Sequence, residues 1–152
     1  MKPRTRARSV ALQVLYEIDV ADHSPGLVYE TRIEEEDLDT SLADFVHKIV
    51  FGIYPITKQL DLIISEHAPE WPFDQVATID RNILRIALWE FAVYKDTPMK
   101  VAINEAVELA KVYGSDSTPR FVNGVLGSLV NHQNEIQQAL HNLLNAVEDS
   151  DN

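Results

Sequence analysis

The chain has 152 residues, a formal net charge of −11 at pH 7, five glycines and no cysteine. This length favours one domain that buries its core without metals or disulfides, and the lack of cysteine excludes disulfides, thiol catalysis and cysteine-ligated zinc. No apolar run approaches the roughly 18 residues needed to cross a bilayer, and no signal-peptide core follows the basic start, so we expect a cytoplasmic protein that does not bind membranes.

The charge is distributed unevenly. The first ten residues contain four basic side chains and no acid, whereas the remainder holds 9 basic against 24 acidic side chains. A polyanion would be attracted to one end of such a chain and repelled by the rest, so any nucleic-acid binding is predicted to be local. The four basic residues are Lys2, Arg4, Arg6 and Arg8.

The first helix is predicted from about Thr5 to Val20. One of its faces is apolar, and a second, exposed line places a guanidinium, hydrogen-bonding groups and an aromatic ring in a row, which suits phosphates and unstacked bases. That line consists of Arg6, Ser9, Gln13 and Tyr16. The alternatives are a solubilising terminus with Tyr16 at the rim of the core, or a transit peptide; the second is disfavoured because the helix beyond Arg8 contributes to the core.

The segment 27–40, which contains four consecutive acidic residues from Glu34 to Asp37, is predicted to be a partly mobile connector. It lacks the glycine and ligand spacing of a calcium loop, so we assign it no chemistry. Helices are predicted from Leu38 to Ile53 and from Ile56 to His67, and with the first helix they form a three-helix bundle.

Two prolines within Ala68–Phe73 mark a connector between sub-bundles at about 5–68 and 76–132 of a single domain, residues 1–132. Trp71 and Phe73 are expected to pin this connector to the body. The next helix, about Val76 to Lys95, is the most hydrophobic and is predicted to be central. Arg81 and Arg85 lie one turn apart on it and need acidic partners, either from this chain or from another molecule.

The stretch VAINEAVELAKVYGSDSTPRFVNGVL, residues 101–126, predicts two helices that meet at a polar elbow. Gly114 is expected to end the first helix in the left-handed conformation. Thr118 is expected to cap the second helix, with Pro119 at its first position. Small residues at Gly124, Gly127 and Ser128 predict close approach of another helix.

Residues 133–152 are predicted to form an amphipathic helical extension with an acidic end. Its apolar stripe either packs back onto the body or contacts a second copy in a homodimer. The stripe consists of Ile136, Leu140, Leu143, Leu144 and Val147.

No catalytic set is apparent. The five histidines form no ligand pair at helical spacing, and neither a glycine-rich phosphate loop nor a nucleophile elbow occurs. The sequence therefore predicts a binding protein rather than an enzyme, with no cofactor and no metal.

Three blocks in this order resemble the NusB family of bacterial transcription antitermination factors: RTRARSVALQVLYE at 4–17, ILRIALWE at 83–90, and VAINEAVELAKVYG followed by FVNGVL at 101–126. The resemblance implies an all-α fold of two packed three-helix bundles. It also implies that the chain binds the boxA segment of nascent RNA together with the ribosomal protein NusE. The pair would act in the RNA polymerase antitermination complex, notably during ribosomal RNA synthesis.

On this sequence the resemblance assigns RNA contacts to Arg4, Arg6, Arg8, Tyr16, Arg120 and Phe121, and protein-partner contacts to Asp80 and Arg85, with Glu17 as a further candidate. The charge pattern adds Lys2, the polar line of the first helix adds Gln13, and the elbow adds Tyr113 as a stacking face. Core packing is the alternative for Phe121.

Three departures from the family pattern are the glycine at 127, where an acidic residue is common, the acidic connector, and the extension after Asn131. Because the body is so acidic, we expect weak RNA binding without a basic partner. Two other functions remain open: a NusB-like recognition domain of a ribosomal RNA methyltransferase, and a helical protein-interaction adaptor without an RNA role.

Overall fold

The computed structural model describes the backbone of residues 1–151 and the side chains of residues 1–146. Within this part of the chain the secondary structure is helical and contains no strand, which confirms the all-α prediction. Short 3₁₀ turns occur at Tyr54–Ile56, Phe73–Gln75 and Val130–His132, and a π-helical turn spans Glu90–Tyr94. The α-helices are α1 Pro3–Ala21, α2 Pro25–Glu35, α3 Thr40–Ile53, α4 Thr57–His67, α5 Thr78–Trp89, α6 Met99–Tyr113, α7 Thr118–Leu129 and α8 Gln133–Asp151.

Helix α5 is central, as predicted. It packs against α1 and α3 of the first bundle, α1–α3, and against α6 and α7 of the second bundle, α5–α7. All its residues from Asn82 to Trp89 are buried. The predicted helix to Lys95 does not stay regular, because its last turn widens into the π turn and ends at Lys95 with a left-handed φ of 68°. One helix therefore joins the two bundles.

The prediction of a mobile connector at 27–40 is wrong, because most of this segment forms α2. Val28 is buried, and the Tyr29 ring packs edge-on against His47 and Phe51, with centroids 5.2 and 5.4 Å apart. The apolar contacts of α2 outweigh its acidic end, and the link to α3 is short. Asp39 then caps α3 by accepting a hydrogen bond from the Leu42 backbone N–H at 2.9 Å.

The prediction that α4 forms one bundle with α1 and α3 is wrong, because its buried face packs against α5, α7 and α8 instead. The extension packs back onto the body through α4 and the π turn, where Ile136 and Leu140 are buried. The Gln137 side-chain amide donates to the Phe91 backbone carbonyl at 2.9 Å. The intramolecular alternative for the apolar stripe is therefore confirmed, whereas a homodimer stays a prediction. Val147 and the acidic end lie outside the described side chains.

The start of α1 is fixed by a buried polar network. Arg8, only 3% exposed, donates from Nε and Nη2 to the two carboxylate oxygens of Glu90 at 2.8 and 2.7 Å. Its Nη1 lies 3.5 Å from Glu105, which also accepts from the Thr5 hydroxyl at 2.7 Å. Thr97 donates to Glu90 at 2.9 Å. These contacts tie the first turns of α1 to the π turn and to α6.

A second network holds α5 against α1 and α4. Arg85 donates to both carboxylate oxygens of Asp61 at 2.7 and 2.8 Å and to Asp19 at 2.6 Å. Burial alone would lower the pKa of Arg85, but the hydrogen bonds and charges of Asp61 and Asp19 raise it above its ordinary value. The acidic partners predicted for Arg85 therefore come from this chain.

The elbow between α6 and α7 differs from its prediction. Gly114 is extended, with φ −89° and ψ −177°, and not left-handed. Glycine is needed for space, since a Cβ here would lie 2.4 Å from the Cβ of Thr118. Thr118 is the first helical residue rather than the cap; its hydroxyl accepts from the Ser115 backbone N–H at 2.9 Å and donates to Asp80 at 3.1 Å.

The predicted small face of α7 does not receive another helix. A Cβ at Gly124 would contact the Trp71 indole at 3.5 Å, and a Cβ at Gly127 would meet no atom within 4 Å. Trp71 and Phe73 pack against the core, as expected of the connector. Of the two glycines, Gly124 therefore makes room for a connector side chain.

Arg8→Ala should lower the free energy of unfolding by about 3–5 kcal/mol, because it leaves the Glu90 carboxylate buried without its charge partner. Arg4→Ala is the control, since Arg4 is exposed over the Phe45 ring and should cost about 0.5–1 kcal/mol. Urea denaturation measures both variants. Equal, small losses would contradict the role given to Arg8.

Gly114→Ala should destabilise the protein by about 1–3 kcal/mol, because the added methyl group overlaps the Thr118 side chain. Gly127→Ala is the matched control, because it adds the same group in open space within a helix and should stabilise the protein by about 0.5–1 kcal/mol. Thermal unfolding of the pair gives the comparison, and effects of the same sign would contradict this account of the elbow.

Candidate nucleic-acid interface

Helix α1 and the elbow lie side by side. The Tyr113 hydroxyl, at the end of α6, is hydrogen-bonded to the hydroxyl of Ser9, and it accepts from the Gln13 side-chain amide at 2.9 Å. The predicted line of exposed residues on α1 is only partly exposed, since Ser9 is buried beneath Tyr113 while Tyr16 is 41% exposed. Tyr113 therefore joins the two regions that the sequence pattern singles out.

Two open clefts lie next to each other, and the Tyr113 junction lines the first of them. The first, of about 670 Å³, lies between α1, α2 and the start of α5. The second, of about 730 Å³, lies between the Trp71–Ala77 segment and the start of α7. Ala77 lines both, so they form neighbouring parts of one surface. The first cleft is lined by Gln13, Tyr16, Glu17, Arg32 and Tyr113 among others, and the second by Trp71, Asp80, Ser117, Arg120 and Phe121 among others.

The basic side chains of the first ten residues do not form one continuous exposed row. Arg4 lies over the Phe45 ring of α3, 4.0 Å from its centroid. Arg6 turns to the link after α2, and Lys2 lines a separate cavity between α1 and α6. Arg8 is inside the protein, where its guanidinium is occupied by Glu90. Arg8 therefore holds α1 in place and is not part of the exposed surface.

Arg32 is a basic residue of the first cleft that the sequence pattern did not single out. It lies on α2 and lines the cleft with Tyr16 and Glu17. The four acids that follow it favoured a solvated connector, so α2 was not recognised. The available signal was the apolar pair Tyr29 and Ile33, four residues apart, which share one face of a helix and pack against the core.

The second cleft combines a cation with aromatic rings. Arg120 is exposed and makes no ion pair with any side chain among residues 1–146. Phe121 is half-buried and packs edge-on against Trp71, with centroids 6.2 Å apart. Trp71 was expected only to pin the connector, yet it also lines this cleft.

The three residues predicted to bind a protein partner have different surroundings. Glu17 lines the first cleft, and Asp80 lines the second. Burial raises the pKa of Asp80, and the hydrogen bond from Thr118 partly opposes this rise. Arg85 is 5% exposed and bound to Asp19 and Asp61. Only the two acidic residues therefore border the clefts.

The residues with described side chains contain no group of three or more histidine, aspartate or glutamate residues placed to hold a metal ion. Among the helices of residues 1–151, none has both the length and the apolar character that crossing a membrane requires.

Comparison with known proteins identifies the family. Residues 5–131 match the NusB family. The chain is 50% identical over 134 residues to the transcription antitermination protein NusB of Roseiflexus sp. (strain RS-1), which covers 87% of this chain and 94% of that protein. It is 42% identical over 139 residues to NusB of Bacillus subtilis (strain 168), covering 91% and 100%.

The fold agrees with solved structures of this family. A chain in the crystal structure of antitermination factors NusB and NusE in complex with double-stranded RNA superposes with a TM-score of 0.78 at 27% identity, covering 87% of this chain and 98% of that chain. The family consists of transcription antitermination factors rather than enzymes, as the sequence predicted. By sequence and by fold, this chain belongs to the NusB family.

Proposed function

We propose that this antitermination factor binds boxA-type single-stranded RNA together with the ribosomal protein NusE. In the RNA polymerase antitermination complex this binding would support processive transcription, notably of ribosomal RNA. The observation that carries the proposal is the junction at Tyr113, which places α1 beside the elbow and lines the first of two neighbouring clefts. Their lining combines separate cations with partly exposed aromatic rings. That combination suits a flexible strand with phosphates on its backbone and unstacked bases.

Each cleft offers one arginine and two aromatic rings that a single strand can use. Arg32 and Tyr16 border the first cleft, and Arg120 and Phe121 border the second. The guanidinium groups suit phosphate oxygens, and the exposed rings suit stacking. Arg4, Arg6 and Lys2 would add separate cations around the start of α1, with Gln13 as a polar contact and the Tyr113 ring as a stacking face of the first cleft.

The NusE part of the proposal is supported by charge. The chain carries a net charge of −11, so its body repels RNA and attracts a basic protein. Glu17 and Asp80 border the clefts and are the proposed contacts for such a partner. Arg85 would act indirectly, by holding α5 to α1 and α4. A basic protein seated here would add positive charge next to the RNA.

The extension is not part of this surface. Both clefts are lined by residues between Gln13 and Gly124, whereas α8 packs on α4 and the π turn. We therefore assign RNA binding to residues 1–132 and a separate, structural role to residues 133–146 of the extension. Relatives that match over 94–100% of their length are antitermination proteins, which favours this function over a methyltransferase recognition domain.

Arg32→Ala and Arg120→Ala should each weaken binding of boxA-like RNA about five- to tenfold in the presence of NusE, because each removes a charge-assisted hydrogen bond to a phosphate. The dependence of log K on log salt should become shallower by about 0.7 for each phosphate that is no longer neutralised. Fluorescence anisotropy at several salt concentrations measures both quantities.

Lys58→Ala on α4 is the control for the arginine variants. It removes the same charge at an exposed position that lines neither cleft. If its effect matches theirs, the clefts do not bind RNA. If neither wild-type protein nor any variant binds RNA with NusE, the adaptor function without RNA is the correct one.

Glu17→Lys should weaken NusE binding on the order of tenfold at low salt, because it places a cation against a basic protein. Glu108→Lys makes the same change on the exposed face of α6, away from both clefts, and should have a much smaller effect. Isothermal titration calorimetry without RNA compares the two. Equal losses would show that net charge alone controls the affinity.

A further inference from the structure

The acidic run at the end of α2 is in contact with two arginines, Arg6 of α1 and Arg32 of the first cleft. Arg6 Nη2 lies 3.2 Å from Glu36 Oε2, and Arg6 Nη1 donates to the Asp37 backbone carbonyl at 3.1 Å. Arg32 Nη1 lies 3.7 Å from Glu35 Oε2. Two arginines proposed to bind RNA are thus paired, in the free protein, with consecutive acids of one segment.

In the Arg6–Glu36 pair, the carboxylate can be replaced by another anion. A carboxylate presents oxygens to a guanidinium in the way that a phosphate does, so Glu36 stands at the position that a phosphate oxygen would take. The side chains of Arg6 and Glu36 are 41% and 24% exposed. The pair is therefore reached by solvent and by a competing anion. This contrasts with Arg8 and Glu90, whose side chains are 4% and 1% exposed and which no ligand reaches.

We propose that Glu36 is an internal competitor for RNA at Arg6. Its carboxylate holds the guanidinium in the free protein, and an RNA phosphate must displace it to bind. This inference rests on the proposed function, because it assigns a control of affinity to the same RNA surface. An exposed ion pair is weak, so the competition changes the RNA affinity about two- to fivefold rather than abolishing binding.

The test compares Glu36→Gln with Glu34→Gln. Both variants remove one negative charge from the same segment and keep the side-chain size. Glu34 is exposed and, within the described part of the chain, contacts no arginine. In anisotropy titrations with boxA-like RNA and NusE, Glu36→Gln should raise the affinity about two- to fivefold. Glu34→Gln should give only the smaller gain expected from net charge.

A third variant, Arg6→Ala, tests whether Glu36 acts through its contact with Arg6. If Glu36 acts through Arg6, the gain from Glu36→Gln should shrink to that of Glu34→Gln when Arg6 is alanine. Equal gains from the two glutamine variants, or a full gain in the Arg6→Ala background, would overturn the proposal. Urea denaturation of each variant verifies that the fold is retained.

A second measurement separates this proposal from the proposed function. Inorganic polyphosphate, titrated while the NMR signal of the Arg6 Nε–H group is followed, should shift that signal at lower concentration in Glu36→Gln than in Glu34→Gln. If RNA is not bound by any of the proteins but this difference is present, the proposed function fails and the competition stands. If the two titrations coincide, the competition is wrong.

Discussion

The structure depends on the buried ion pair between Arg8 and Glu90. The first turn of α1 contains no acidic residue, and its N-cap position makes no side-chain hydrogen bond. Arginines there face the positive end of the helix dipole, which disfavours helix formation. Glu105 accepts a hydrogen bond from Thr5 in this turn, and Glu90 pairs with Arg8 in the next turn. These two carboxylates supply, from other helices, negative charge near the start of α1. The arginine-rich start is consequently a fixed helix, and its exposed members have defined positions.

Helix α5 connects this ion pair to the rest of the molecule. Its π turn provides Glu90, and its middle provides Arg85, which binds Asp19 near the end of α1. Helix α1 is therefore bound near both of its ends to α5 and the π turn that continues it. Helices α6 and α7 also pack against α5. This arrangement sets the distance between α1 and the elbow and hence the shape of the first cleft.

The sequence predicts the structure correctly where buried residues recur at helical spacing within one segment. The central α5, the elbow and the all-α class follow from apolar spacing and from turn residues. The sequence does not predict a residue's role where that role depends on a partner far away in the chain. Arg8 and Glu90 are 82 positions apart, so a basic residue in a basic run gave no sign of burial. Gly114 was expected to be a left-handed cap because nothing local reveals that Thr118 folds over it. Arg32 was not recognised because the acidic run that follows it, at the end of α2, favoured a solvated connector.

The Gln137 hydrogen bond has a consequence for the extension. In the π turn the Lys95 N–H bonds to the carbonyl of Glu90, five residues back, and the carbonyl of Phe91 accepts from Gln137. Apolar contacts alone would let a helix slide along its groove or roll about its axis. A directional bond to one backbone oxygen removes both freedoms. It sets the register of α8, so that Ile136 and Leu140 face inward while the amide side chains of Gln138 and Asn142 remain in water.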